Sequence, residues 1–255
     1  MVDGSIIRMS RIINPVSKKT LILKVDWANK NQAKEIVRTC KDYCEGIVVN
    51  REQAGDLSLY FSGKEAPALI ARIHWTCLYK EGLSSLYENI DIVASAVEEA
   101  MMLGASAIFS SFIIGHKRDM DEARNVESIS FLSRACEKLG MPLIVECLPI
   151  GERITRENFS KSIELAARVS MEAGADIIAI PYTGNPESFK NMLYSANVPI
   201  LLLDVETPFG RSINNLELAL KVGVRGLVIG EEMLRSLDVL DIKSLYKSLH
   251  GRFDR

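Results

Sequence analysis

No run in the sequence approaches the roughly 20 consecutive apolar residues that a membrane span requires. The N-terminus intersperses Arg8, Arg11, Lys18 and Lys19 with Ile6, Ile7, Ile12 and Ile13 and so lacks the unbroken apolar core of a signal peptide. Neither a membrane partner nor export is indicated, and a cytoplasmic location is expected. An excess of one charge is missing too: 31 Lys and Arg against 33 Asp and Glu leave a net charge of -2, which argues against a nucleic-acid surface. A small polar metabolite is the expected ligand. The five cysteines, at 40, 44, 77, 136 and 147, are odd in number and form no CxxC pair, so neither a disulfide framework nor a zinc knuckle is indicated. No G-x-G-x-x-G follows the first β-type run, and no H-x-H or E-x-x-H spacing announces a metal centre.

What the sequence does contain is alternation. Short β-branched runs occur at 21–26, 46–50, 68–73, 107–113, 142–147, 176–180, 199–204 and 226–230, and amphipathic stretches separate most of them. Helical patterns are clearest at 86–104, 122–140, 158–174 and 214–223, each closing on a glycine suited to a C-cap. Eight βα units in about 250 residues predict a (β/α)8 TIM barrel. It is expected to form one α/β domain over residues 1–255, with 1–20 as a short helical segment closing one end. A doubly wound open sheet is the alternative architecture, disfavoured by the missing dinucleotide fingerprint. The segment Glu52 to Lys64, with Gly55, Ser58, Ser62 and Gly63, is expected to replace a full second helix by a loop and a short helical turn.

Inward-facing side chains near the C-terminal ends of barrel strands meet at the catalytic mouth. Polar residues inside otherwise apolar runs are therefore the candidates, since a buried charge without a partner is costly. Lys24 and Asp26 on the first run face the same way, as do Arg72 and His74 on the third; Glu146 lies on the fifth, Asp204 on the seventh, and Glu231 just after the eighth. The set allows catalytic roles for Lys24, Asp26, His74 and Glu146, and substrate contacts from Arg72, Tyr182, Asp204 and Glu231. It equally allows buried ion pairs, Lys24 with Glu146 or Arg72 with Asp204, that hold barrel layers together. Lys24 in an apolar layer could attack a carbonyl as an amine, while Glu146 beside it would keep it protonated and inert. A divalent metal held by Glu146, Asp204 and His74 is a further alternative. His116 reads as a solvated loop group, Trp27 and Trp75 as walls or plugs of the mouth, and Cys147 as core facing the helices.

The segments Leu21-Ile-Leu-Lys-Val-Asp26, Glu98 to Ala107, Met141-Pro-Leu-Ile-Val145, Glu172-Ala-Gly-Ala-Asp176, Tyr182-Thr-Gly-Asn-Pro186 and Val198-Pro-Ile-Leu201 carry a resemblance. Over nearly its full length the chain resembles the archaeal-type class I fructose-bisphosphate aldolases and aminodideoxyheptulosonate synthases of the DeoC/LacD superfamily. The Tyr-Thr-Gly-Asn-Pro stretch is the most specific part.

The resemblance implies Schiff-base chemistry without a cofactor, a small carbonyl substrate and assembly into a homo-oligomer, for which the amphipathic segment 241–250 offers a face. It also implies that Asp26 assists proton transfer. Other positions depart from the family. Pro181 stands where its imine-forming lysine precedes Tyr-Thr-Gly, Leu148 where its tyrosine donates a proton, and Trp27-Ala28 where His-Gly follows the aspartate. Asp204-Val205 and Gly230-Glu231 stand where backbone amides and an arginine would hold phosphate; carboxylates there disfavour an anion. Two readings follow: a barrel re-equipped as a divergent lyase or isomerase, or a catalytically silent paralogue that binds a metabolite or a partner subunit.

Overall fold

The computed structural model describes residues 3–75, 91–92, 96–236 and 238–251. The barrel strands are β1 (Thr20–Lys24), β2 (Gly46–Val49), β3 (Ala68–Arg72), β6 (Ala107–Ile114), β7 (Leu143–Pro149), β8 (Ile177–Ile180), β9 (Ile200–Asp204) and β10 (Gly226–Ile229). They coincide with the eight runs read from the sequence. All pair in parallel and close into a barrel in the order β1-β10-β9-β8-β7-β6-β3-β2. Two short strands, β4 (His74–Trp75) and β5 (Asp91–Ile92), form a separate antiparallel ribbon.

The helices are α1 (Asp3–Ile12), α2 (Lys30–Cys40), α3 (Arg51–Asp56), α4 (Ala96–Met102), α5 (Asp119–Leu139), α6 (Phe159–Glu172), α7 (Pro186–Ser195), α8 (Leu216–Val222), α9 (Glu231–Ser236) and α10 (Val239–His250). The expected helical pattern from Leu86 is corrected by β5. Asp91 and Ile92 pair with β4, and among the described residues the helix of this stretch is the far shorter α4, while residues 86–90 and 93–95 lie outside the described residues. Gly104, Gly140, Gly174 and Gly223, which end the four predicted helices, all have positive φ. The 52–64 segment forms the short α3 and a 3-10 turn at Ser58–Phe61, as expected.

Alternation along the strands separates two cores. Ile22, Val48, Ile70, Phe109, Ile144, Ala179, Leu203 and Val228 pack with one another and with Ile12 of α1, which plugs the N-terminal end of the barrel. Their strand neighbours Leu21, Leu23, Ile47, Ile108, Val145, Ile178, Leu202 and Leu227 pack against the helices. A side chain's parity therefore decides whether it enters the barrel or supports its outer wall.

Candidate functional site

Lys24, Arg72, Ser111 and Glu146 each stand two residues beyond an interior apolar residue: Ile22, Ile70, Phe109 and Ile144. Together they form a polar layer directly above the apolar one. Lys24 Nζ pairs with Glu146 Oε2, and Arg72 pairs with Asp26 through Nε and with Glu146 Oε1 through a terminal nitrogen at 3.0 Å. Phe109 forms the floor, with its ring centroid 5.3 Å from Lys24 Nζ and 5.4 Å from the Arg72 guanidinium carbon. The layer is sealed almost completely: side-chain exposure is 9% for Lys24, 4% for Arg72, 1% for Glu146 and 0% for Asp26.

Two cations and two carboxylates at this burial neutralise one another, which is the condition for tolerating charge in a low-dielectric interior. Burial raises the affinity of Glu146 for a proton, but the charges of Lys24 and Arg72 and hydrogen bonds from Lys24 and Ser111 outweigh it, holding the carboxyl down at about 2. Glu146 is thus a fixed anion. His74, one step nearer the mouth than Arg72, is the reverse case: burial first and the Arg72 charge second lower it to about 3 against the opposing pull of Glu146, so the ring is neutral. Its Nε2 lies 3.1 Å from Ser111 Oγ and 3.4 Å from an Arg72 nitrogen, and Ser111 Oγ donates to Glu146 Oε1 at 2.6 Å.

Local structure explains how the first strand delivers its residues. Asn50 caps α3, accepting from Gln53 N at 2.9 Å, and its side-chain amide donates to the Asp26 carbonyl at 3.3 Å. Buried Gln53 donates to the carbonyls of Val25 at 2.9 Å and Ala28 at 2.8 Å. Helix α3 therefore grips the loop that carries Asp26. Trp27 closes the same corner: its indole N–H donates to the Lys24 carbonyl at 2.6 Å, and Arg235 stacks on its ring at 4.9 Å.

Among the ion pairs weighed from sequence, Lys24 with Glu146 forms, while Arg72 with Asp204 does not. Asp204 has the parity of Leu202, on the helix side of β9, and Arg211 grips it with hydrogen bonds of 2.8 and 3.1 Å. That placement also separates Asp204 from Glu146 and His74, against the alternative of a joint metal site. Tyr182 likewise points outward, its ring 5.3 Å from that of Phe189 on α7. Glu231 opens α9 and pairs with Arg235 at 2.6 Å. His116, expected to be solvated, is buried. Cys147 faces α6 as expected, 3.4 Å from Ser170 Oγ. The side chains of Trp75 and Cys77 lie outside the described residues. Sequence reasoning passed over Ser111 and Arg211; the parity that singled out Glu146 also marks Ser111, two residues after Phe109.

Pro181 follows β8 on the interior parity of Ile177 and Ala179 and is buried. The succeeding Tyr-Thr-Gly-Asn-Pro stretch has a local structural reason. Gly184 turns at φ +82°, Asn185 accepts from the amides of Glu187 and Ser188, and Pro186 starts α7. A Cβ on Gly184 would lie 2.2 Å from the ring of Phe209, which also stacks with Phe159 and Arg156. Two cavities lie elsewhere: about 750 Å³ between α6 and α7, and about 270 Å³ beside Gly140 and Asp176. No helix among the described residues is long and apolar enough to cross a membrane.

Comparison with known proteins follows the same outline. A model of the DeoC/LacD family aldolases matches residues 13–232. The class 1 fructose-bisphosphate aldolase of Thermoproteus tenax is 28% identical over 224 residues, covering 85% of this chain and 79% of its own. The 2-amino-3,7-dideoxy-D-threo-hept-6-ulosonate synthase 1 of Archaeoglobus fulgidus is 26% identical over 253 residues, covering 96% and 90%. A solved archaeal fructose 1,6-bisphosphate aldolase shares the fold with a TM-score of 0.74 at 24% identity, covering 98% of this chain and 100% of that one.

Proposed function

The chain belongs to the DeoC/LacD family of aldolases, and from that membership we propose that it is a divergent carbon–carbon lyase or isomerase acting on a small carbonyl compound, without an imine at strand six. The observation that carries this reading is the interior layer of Lys24, Arg72 and Glu146, with Asp26 and His74 one step nearer the mouth. A barrel whose only task was packing would be less costly to build with apolar side chains there.

Roles follow from the electrostatics. Glu146, held ionised at about 2, is too weak a base to draw a proton from carbon near neutrality and serves as counter-ion. It keeps Lys24 as an ammonium that anchors or polarises a carbonyl oxygen alongside Arg72, and imine formation at Lys24 requires that pair to separate. Asp26, tied to Arg72, is the proton acceptor at the mouth. Tyr182 and Asp204 have structural duties in this reading, and Glu231 orients Arg235 over Trp27.

Borohydride trapping across a panel of aldehydes and ketones, combined with deuterium exchange at their α-carbons, tests the proposal. Exchange that falls at least about 100-fold in Asp26→Asn supports it, and a reduced adduct mapped to Lys24 adds the imine route. Neither exchange nor adduct with any compound would sink it. The second reading, a catalytically silent binding subunit, is favoured by one observation: the four charges neutralise one another behind side-chain exposures of 9% or less.

A further inference from the structure

We infer that Ser111 holds His74 as its Nε2–H tautomer, so that the ring presents Nδ1 as a hydrogen-bond acceptor for the hydroxyl of a hydroxy-carbonyl ligand. The inference deepens the function proposed above and rests on it for the ligand class alone.

The Ser111 hydroxyl has a single proton and two neighbours competing for it. Glu146 Oε1, an ionised oxygen at 2.6 Å, is nearer and stronger than His74 Nε2 at 3.1 Å, and a charge-assisted hydrogen bond wins over a neutral one. With its proton committed to Glu146, Ser111 Oγ turns a lone pair toward His74. The 3.1 Å contact is then a hydrogen bond only if Nε2 carries the ring proton. An Arg72 nitrogen, which can only donate, lies 3.4 Å from the same Nε2 and favours the other tautomer. The shorter contact decides, because Arg72 already directs its guanidinium to Asp26 and Glu146.

The consequence falls on the far side of the ring. His74 Nδ1 is buried and makes no hydrogen bond of good geometry among the described residues; the Phe109 carbonyl acts on the ring and favours its protonated form, but weakly against burial and Arg72. Buried polar atoms are nearly always satisfied, and an exception inside a polar cluster calls for an explanation, which a ligand donor would supply here. A lone pair at Nδ1 asks for a hydroxyl or N–H from the ligand, whereas a ketone without a hydroxyl has nothing to give it. Beside cationic Lys24 and Arg72, which suit a carbonyl oxygen, this selects an α-hydroxy carbonyl over a simple one. Ser111 acts through His74 and is a positioning residue.

Nitrogen NMR of the protein labelled at its three histidines reads the tautomer directly, with His74→Gln providing the assignment. Wild type should show His74 with protonated Nε2 and bare Nδ1. That preference should be lost in Ser111→Ala and restored in Ser111→Thr, which keeps the hydroxyl. Hydroxyacetone should then shift the Nδ1 resonance and acetone should leave it in place. A protonated Nδ1 in wild type, or a tautomer indifferent to Ser111→Ala, overturns the role of Ser111. Equal responses to the two ketones, or none, overturn the acceptor site. If hydroxyacetone shifts Nδ1 while no carbonyl compound undergoes exchange or trapping, this inference stands and the catalytic reading fails.

Discussion

Glu146 holds the interior together at the residue scale. It accepts from Lys24, Arg72 and Ser111 with no solvent contact, so its replacement by glutamine strands two buried cations at once. Glu146→Gln should cost about 3–5 kcal/mol in urea denaturation. Lys24→Met combined with Glu146→Gln should cost less than the two single changes added together, a double-mutant cycle that isolates the pair. Asp204→Asn, by contrast, weakens the Arg211 contact on the helix side of the barrel wall; it should cost about 2–3 kcal/mol and leave α-carbon exchange unchanged. These different fates mark the limit of what could be read from sequence. Period-two parity put Lys24, Arg72 and Glu146 on one surface correctly, since three interior strands fix it. Asp204 was misassigned because its strand is apolar on both faces, so its composition does not reveal which parity enters the barrel. Ser111 was legible by the same parity and was masked by its equally polar neighbour Ser110, which faces the other way.

At the scale of the element, the loops between strands and helices are fixed by a few hydrogen bonds, each involving a residue type chosen for its geometry. Gln53 spans from α3 to the carbonyls of Val25 and Ala28, and Gln53→Ala removes a donor from each, leaving the Val25 carbonyl only the Ala28 N–H. A loss of about 2–3 kcal/mol is expected, and hydrogen exchange should show faster opening of the loop bearing Asp26. Gly184→Ala meets both a positive φ and the ring of Phe209; it should lower thermal stability, and Phe209→Ala in the same chain should recover part of the loss by removing the clash but not the φ strain. Strands and most helices were legible because each satisfies its period and its glycine stop. The 86–104 stretch was not, since a two-residue antiparallel ribbon is too short to impose a period.

The whole molecule should be sensitive to acid through its buried interior. His74 has a folded value of about 3 against an ordinary 6.5, so between these limits the unfolded chain takes up a proton that the folded one refuses. Glu146, at about 2 against 4.5, does the same at lower pH. Both groups bind more protons when unfolded, so stability must fall as pH falls. The decline should begin near pH 6.5 and steepen between about 4.5 and 3, where the two windows overlap. Urea midpoints measured across that range check it, and His74→Gln should flatten the upper part of the curve. One further consequence follows from the closure of the barrel. Gly226 of β10 lies so near the Thr20 carbonyl that a Cβ would approach it to 1.9 Å, and this seam joins strands from opposite ends of the chain. During synthesis the wall beside Lys24 cannot form until β10 has left the ribosome. The charged interior therefore lacks one wall, and cannot be closed, until β1 and β10 pair.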